Sequence, residues 1–340
     1  MLDLHAGLGE ALGCIKLTRH MMTKAKFIGL VLVCSVVLWS ADAQAAKQKS
    51  SKSPTASGTR PAHDNTIARN PYVGAIVVEA ATGKVLFERE ADAKGYPASV
   101  LKLMDLLIIL EKVERGQLSF QDQVPVSAKA SKTGGSQVWL AEKESFTLDE
   151  MLYALMVRSA NDAAVALAEK VGGSTEAFVE LMNQKAKALG MNNTVFHSVH
   201  GLPPEPGQHH DVTTARDLTI LCREVLKHPD TLRYTSTRER PFRPNAGPKT
   251  VMMRTHNHLM ARIEGCDGLK TGYIAQAGFS IAVTAQRNGQ RIIVVVLDSS
   301  DLKTRDTKAA ELVAKGFASL AGAPASTVST QAKSPAHAAK

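Results

Sequence analysis

The stretch Tyr96-Pro97-Ala98-Ser99-Val100-Leu101-Lys102 places a hydroxyl and an amine three residues apart at a helix start. Residues at that spacing share a helix face about one turn apart, so the Lys102 amine reaches the Ser99 hydroxyl. Pro97 suits the first turn, because its φ is fixed and its missing N–H had no intrahelical partner to lose. The apolar run from Leu101 to Leu110 carries the helix into a core. Ser99 is then expected near the free N–H groups and positive end of the helix, where developing negative charge is stabilised. By itself the pair reads as a chance coincidence as readily as a nucleophile with its base.

Outward from this helix, the chain orders itself as strands, helices, then strands again. Val73 to Val78 and Val85 to Phe87 read as strands joined at Ala81-Thr82-Gly83, a hairpin. Thr147-Leu148-Asp149-Glu150 is a capping box whose helix halts at Arg158-Ser159-Ala160-Asn161, with a helical pattern resuming from Asp162 to Val171. Ser174 caps a helix ending at Gly190, and Thr213 or Thr214 starts another that ends before Pro229. Phe279 to Ala285, Asn288-Gly289 and Ile292 to Leu297 form a second hairpin, its last strand apolar on both faces. A terminal helix is expected from about Arg305 to Phe317. The fold class expected is α+β: an antiparallel β-sheet flanked by helices, with a helical subdomain.

The bulk composition fits that picture and excludes others. A chain of 340 residues with 44% hydrophobic content can hold one large domain or two small ones. Its net charge of +9 sits mostly at the ends: residues 1 to 70 carry nine Lys and Arg against four Asp and Glu. The remainder is nearly balanced, so no nucleic-acid groove is expected. Lys24 and Lys26 precede an apolar run from Phe27 to Trp39, and small residues follow at Ala41, Ala43, Ala45 and Ala46. That is the pattern of a cleavable export signal over 1–46, with 1–20 as an upstream extension; an uncleaved anchor is the alternative. Residues 47–70 are read as a disordered linker, 71–319 as the folded domain and 320–340 as a disordered tail without an amphipathic membrane anchor. Cys222 and Cys266 remain in the folded part, as a disulfide or as two separate buried thiols.

Two further triplets follow Ser99-x-x-Lys102 in order: Ser159-Ala160-Asn161 and Lys270-Thr271-Gly272. The ordered set is a pattern of penicillin-binding proteins and β-lactamases. Its chemistry is coherent, because acyl transfer from an amide needs a nucleophile, a base, a proton donor to the leaving amine and N–H groups for the oxyanion. Lys102 can act as the base only when neutral, and burial beside Lys270 is expected to push its pKa down. Ser159 can relay protons, Asn161 can hold the substrate amide, Lys270 and Thr271 can bind a carboxylate, and Gly272 permits close approach of the substrate backbone. Lys132-Thr133-Gly134 spells the third triplet too, but out of order and without a following strand.

With Asn161-Asp162-Ala163-Ala164, Leu189-Gly190-Met191, His200-Gly201-Leu202 and Asp267-Gly268-Leu269-Lys270-Thr271-Gly272-Tyr273 added, the chain from about Tyr72 to Phe317 resembles the D-alanyl-D-alanine carboxypeptidase family of low-molecular-mass penicillin-binding proteins. The resemblance implies Ser99 as nucleophile, Lys102 as base, Ser159 as relay, Asn161, Lys270, Thr271, Gly272 and Tyr273 at the substrate, and the Ser99 and Tyr273 N–H groups as oxyanion hole. Arg305 matches a family arginine that assists the terminal carboxylate. The implied partners are peptidoglycan stem peptides and β-lactam antibiotics, with no cofactor and no metal. Ala160 departs from the glycine many members carry. The short chain is also similar to members acting as D-alanyl endopeptidases on cross-links, an alternative left open. A zinc site built from His197, His200, His209, His210, Asp211, His256 or His258 lacks the His-Glu-x-x-His spacing. A β-lactamase would need a deacylating glutamate, for which there is no clear motif.

Overall fold

The computed structural model describes residues 67–322. The export-signal expectation over 1–46, most of the linker over 47–70 and most of the tail over 320–340 lie outside those residues. Backbone hydrogen bonding is already established at Ile67, whose N–H donates to Gln276 O at 2.7 Å, and at Arg69, whose N–H donates to Asp298 O at 3.1 Å.

Five strands form one antiparallel sheet: β1 (Gly74–Glu79), β2 (Val85–Arg89), β3 (Cys266–Ile274), β4 (Gly278–Arg287) and β5 (Gln290–Ser299), in the order β2-β1-β5-β4-β3. The two hairpins expected from the sequence pair through β1 and β5, with Gly74 opposite Leu297 and Glu79 opposite Ile292. Asn288 and Gly289, both at positive φ, close the β4–β5 hairpin with Arg287 opposite Gln290. The apolar run in β5 faces two cores. Ile293, Val295 and Leu297 pack on the helical side, while Ile292, Val294 and Val296 pack under the terminal helix. Burying both faces is what a strand at the centre of a covered sheet requires.

That terminal helix, α6, runs Leu302–Ala321 and starts earlier than its apolar pattern implies, because the Asp301 carboxylate accepts the Thr304 N–H as an N-cap. A Cβ on Gly316 would stand 2.8 Å from Val77 Cγ1, so glycine lets the helix lie close on the sheet.

The helical half comprises α1 (Lys102–Glu114), α2 (Leu148–Tyr153), α3 (Asn161–Gly172), α4 (Thr175–Leu189) and α5 (Ala215–Val225). The caps fall on expected residues: Thr147 accepts from Glu150 N–H, Ser174 from Ala177 N–H and Thr214 from Asp217 N–H. Helix α1 is buried from Lys102 to Leu110 and forms the axis of this half. Cys222 on α5 and Cys266 at the start of β3 are free thiols. Between α5 and β3 an accessory hairpin pairs Glu239–Phe242 with Val251–Arg254, an element the sequence pattern did not reveal. Among the described residues no helix is long and apolar enough to cross a membrane.

Candidate active site

Ser99 lies in a short 3₁₀ turn, Ala98–Leu101, that feeds directly into α1, and not in the α-helix itself. Pro97 is the cap of this turn, and its carbonyl accepts the Val100 N–H. In 3₁₀ geometry residues i and i+3 eclipse, which brings the two side chains together more directly than an α-turn. Lys102 Nζ is 2.9 Å from Ser99 Oγ.

Two other partners decide the protonation chemistry. Lys102 Nζ donates to Asn161 Oδ1 at 2.8 Å and to the His200 carbonyl at 2.7 Å. The amide orientation of Asn161 is set by its Nδ2, which donates to Gly134 O at 2.8 Å. Both partners can only accept, and a neutral amine has two hydrogens and one lone pair. With both hydrogens so used, the lone pair is left for the Ser99 hydroxyl. Lys102 is fully buried, and desolvation brings its pKa down to about 7 against the opposing charges of Asp105, Asp211 and Asp162.

Lys270 on β3 is also buried, and its Nζ donates to Ser159 Oγ at 2.9 Å and to Thr271 O at 3.0 Å. Burial, then the charges of Lys102 and Arg305, hold its pKa well below the usual lysine range. Burial is the leading cause at both lysines, with the like charge between them acting beside it.

Ser159 follows a π-turn, Ala154–Arg158, and sits in the left-handed region at φ 61° and ψ 33°. A non-glycine residue held there is uncommon and tends to occur where function requires it. The conformation ends the first helical run and lets α3 restart at Asn161.

β3 is an edge strand of the sheet, opposite the β2 edge. Gly272 faces the nucleophile turn: a Cβ there would lie 2.6 Å from Pro97 O and 3.2 Å from Ser99 N. Glycine is therefore needed for contact with the protein's own backbone, before any substrate is considered. Gly201, at φ 75°, is equally tight, its Cβ position lying 2.3 Å from Ala98 O. Tyr273 is 56% exposed, and its ring lies tilted against that of Phe279 with centroids 4.4 Å apart. Arg305 is buried but engaged with Asp306, at 2.6 Å, and reaches Lys270 only through its field.

The structure thus brings Ser99, Lys102 and Asn161 together, joins Ser159 to Lys270, and seats Gly272 against the Ser99 turn. Sequence reasoning missed the backbone partners. Gly134 O and Ser136 O hold Asn161, so the out-of-order Lys-Thr-Gly segment contributes one carbonyl, that of Gly134, and the residues after it the other. His200 contributes its carbonyl, for which His-Gly-Leu was the available signal. Of the histidines considered for a metal, His197 and His209 have ring centroids 5.5 Å apart and line one cavity with His200 and Asp211, whereas His210 stacks on Tyr96, the His200 ring accepts the Leu202 N–H, and His258 faces Asp306. His256 lies within electrostatic reach of Lys270, Arg158 and Arg305.

This fold is that of DD-peptidases and penicillin-binding proteins. It is similar to D-alanyl-D-alanine carboxypeptidase DacD of Francisella tularensis, with a TM-score of 0.67 at 28% identity over 72% of this chain and 70% of that one. It is similar also to penicillin-binding protein D2 of Listeria monocytogenes in its ampicillin-bound form, with a TM-score of 0.64 at 31% identity, covering 73% of this chain and 97% of the other. A family model for D-alanyl-D-alanine carboxypeptidases matches residues 62–301, and the chain belongs to that family. Among curated relatives, DacF of Bacillus subtilis is 37% identical over 72% of this chain and 61% of its own length. DacC of Escherichia coli is 34% identical over 71% of this chain and 60% of its own. The chain spans about three fifths of the length of these relatives.

Proposed function

We propose that the chain is a serine-type D-Ala-D-Ala carboxypeptidase acting on peptidoglycan stem peptides through an acyl-enzyme on Ser99. The observation that carries this reading is the Lys102 amine, buried and 2.9 Å from Ser99 Oγ, with two acceptor-only partners taking its hydrogens.

Lys102 takes the Ser99 proton as Oγ bonds to the carbonyl carbon of the penultimate D-alanine. The Ser99 and Tyr273 N–H groups receive the oxyanion. The C–N bond then breaks as Ser159, held by Lys270, passes a proton to the leaving nitrogen and is reprotonated by the proton that Lys102 took from Ser99, which leaves Lys102 neutral. Lys270 and Thr271 hold the terminal carboxylate, with the Arg305 charge behind them, and Asn161 orients the acyl side. Water attacks the ester with Lys102 again as base. A β-lactam enters the same sequence but leaves a tethered amine, so a stable acyl-enzyme is expected. Residues 71–319 form the catalytic domain in this reading, exported through the signal over 1–46.

The test is acylation by a labelled penicillin with the adduct mapped by mass spectrometry, alongside release of D-alanine from a pentapeptide. An adduct on Ser99, lost with both activities in Ser99→Ala, is expected. Activity that survives Ser99→Ala, or is lost on chelation, contradicts the reading.

A further inference from the structure

At the end of α1 farthest from Lys102, two carboxylates and an imidazole converge. Glu111 lies in the last turn of α1, Glu224 in the last turn of α5, and His228 in the turn that follows α5. One atom able to ligate a metal from each residue lies within 4.8 Å of the other two. The rise along α1 from Lys102 to Glu111 is about 14 Å, so this cluster is separate from the acyl-transfer groups. Glu224 and His228 stand four residues apart on a backbone that keeps its helical path beyond Val225. Leu226 N–H donates to Cys222 O and His228 N–H to Val225 O, both at 3.2 Å. Their side chains therefore leave from one face.

The imidazole carries the decisive observation. The His228 side chain is only 10% exposed, and its Nδ1 lies 2.7 Å from Glu114 Oε1. A carboxylate only accepts, so Nδ1 holds the proton of the neutral ring and Nε2 is a lone pair. Nε2 is buried and has no hydrogen-bond partner. A buried acceptor left so is costly, and Glu111 and Glu224 are acceptors too, unable to satisfy it. The nearby cations serve the carboxylates instead. Lys185 Nζ reaches both Glu111 oxygens, at 2.7 and 2.6 Å, Arg115 reaches Glu111 at 3.3 Å, and Lys227 pairs with Glu224 at 2.6 Å. Arg115 and Lys227 are 61% and 66% exposed and can swing into solvent. A proton on Nε2 or a metal ion would each meet the need of the imidazole, and only the metal binds all three groups at once.

We infer that Glu111, Glu224 and His228 form a divalent transition-metal site that clips the end of α1 to the end of α5. One imidazole nitrogen with two carboxylate oxygens suits Zn²⁺, whereas Mg²⁺ and Ca²⁺ prefer oxygen alone. Glu114, through Nδ1, fixes the ring so that Nε2 faces the ion, the usual support of a metal-bound histidine. Bonds of about 2.0–2.2 Å draw the three side chains closer together, and water completes the coordination. The ion stabilises the helical half and takes no part in acyl transfer, so the inference stands independently of the proposed function.

The experiment is a thermal melt of the full, untagged chain, stripped with EDTA and then given ZnCl₂ or MgCl₂ at about 100 μM. Zn²⁺ is expected to raise Tm by about 5 °C and Mg²⁺ to leave it unchanged. His228→Gln and Glu224→Gln should each abolish the Zn²⁺ shift, and Glu114→Gln should weaken Zn²⁺ binding about tenfold by calorimetry. His209→Gln, in the other histidine-lined cavity, should keep the shift in full. No shift in the parent overturns the site and leaves a proton on Nε2 in its place. An equal shift with MgCl₂, or a Zn²⁺ shift retained in both His228→Gln and Glu224→Gln, overturns it as well. Acylation of Ser99 by penicillin at 25 °C should be the same before and after EDTA; its loss would overturn the separation from the acyl-transfer site. A parent that takes no label on Ser99 but shows the Zn²⁺ shift counts against the proposed function alone.

Discussion

Ser99 and Lys102 meet within one turn of chain, whereas Ser159 and Lys270 meet only because a π-turn and a sheet edge arrive from distant parts of the sequence. Both turns contain a left-handed residue that is not glycine, but in different places. On the nucleophile side it is Ala98, at φ 44°, next to the reactive residue; on the relay side it is Ser159 itself, at φ 61°. The local pair relies on helix geometry, and the distant pair on tertiary packing. In the proposed reading the first half supplies nucleophile and base, and the second handles the leaving group.

The comparison is tested most strongly by removing each amine. Lys102→Met is expected to slow acylation by labelled penicillin about 10⁴-fold, and Lys270→Met about 10²-fold, because only the first removes the base for the nucleophile. Equal losses, with both variants folded by circular dichroism, would erase the division.

The seam between the halves comes next. Gly272→Ala forces a Cβ to within 2.6 Å of Pro97 O. Acylation is expected to fall by up to about 10²-fold from displacement of the reacting groups. Unfolding free energy should drop by about 1–3 kcal/mol. A variant with parental kinetics would show that the Ser99 turn does not depend on the sheet edge.

How much of this was legible in the sequence follows the same division. Periodicity and caps were enough for the hairpins, for α1 and for the order of the triplets, because each is a local signal. Asp301 capping α6 was overlooked only because the apolar stripe begins later. The accessory hairpin at 239–254 was not legible: Pro241, Pro244 and Pro248 interrupt it and its strands are four residues each. Nor was the left-handed Ser159, since serine carries no mark of that conformation. The carbonyls of His200, Gly134 and Ser136 are backbone groups and independent of residue type. The weight of desolvation at Lys102 was not legible either, because it is felt only once the core has closed around the amine.

That point gives a finer test. The active form of Lys102 is the neutral amine and its pKa is about 7, so the acylation rate should rise with pH and reach half its plateau near 7. Burial persists when Lys270 is removed, so the residual acylation of Lys270→Met should keep that midpoint within about half a unit. A midpoint moved toward the ordinary lysine range, far above 7, would make the like charge the dominant cause.

The smallest effect separates the two serines by sign. Replacing either by alanine or glycine removes its hydroxyl, so the two substitutions at one site lose the same chemistry and differ only in backbone. At Ser159 the left-handed φ of 61° penalises a Cβ, so Ser159→Gly should be more stable than Ser159→Ala by about 1 kcal/mol. Ser99 lies in the 3₁₀ turn and is not among the positive-φ residues, so there the extra freedom of glycine in the unfolded chain dominates. Ser99→Gly should then be less stable than Ser99→Ala by about 0.5–1 kcal/mol. Urea unfolding of the four variants measures both differences. Opposite signs would place the strain on the relay serine itself; the same sign at both would mean that the fold holds the two serines in equivalent conformations.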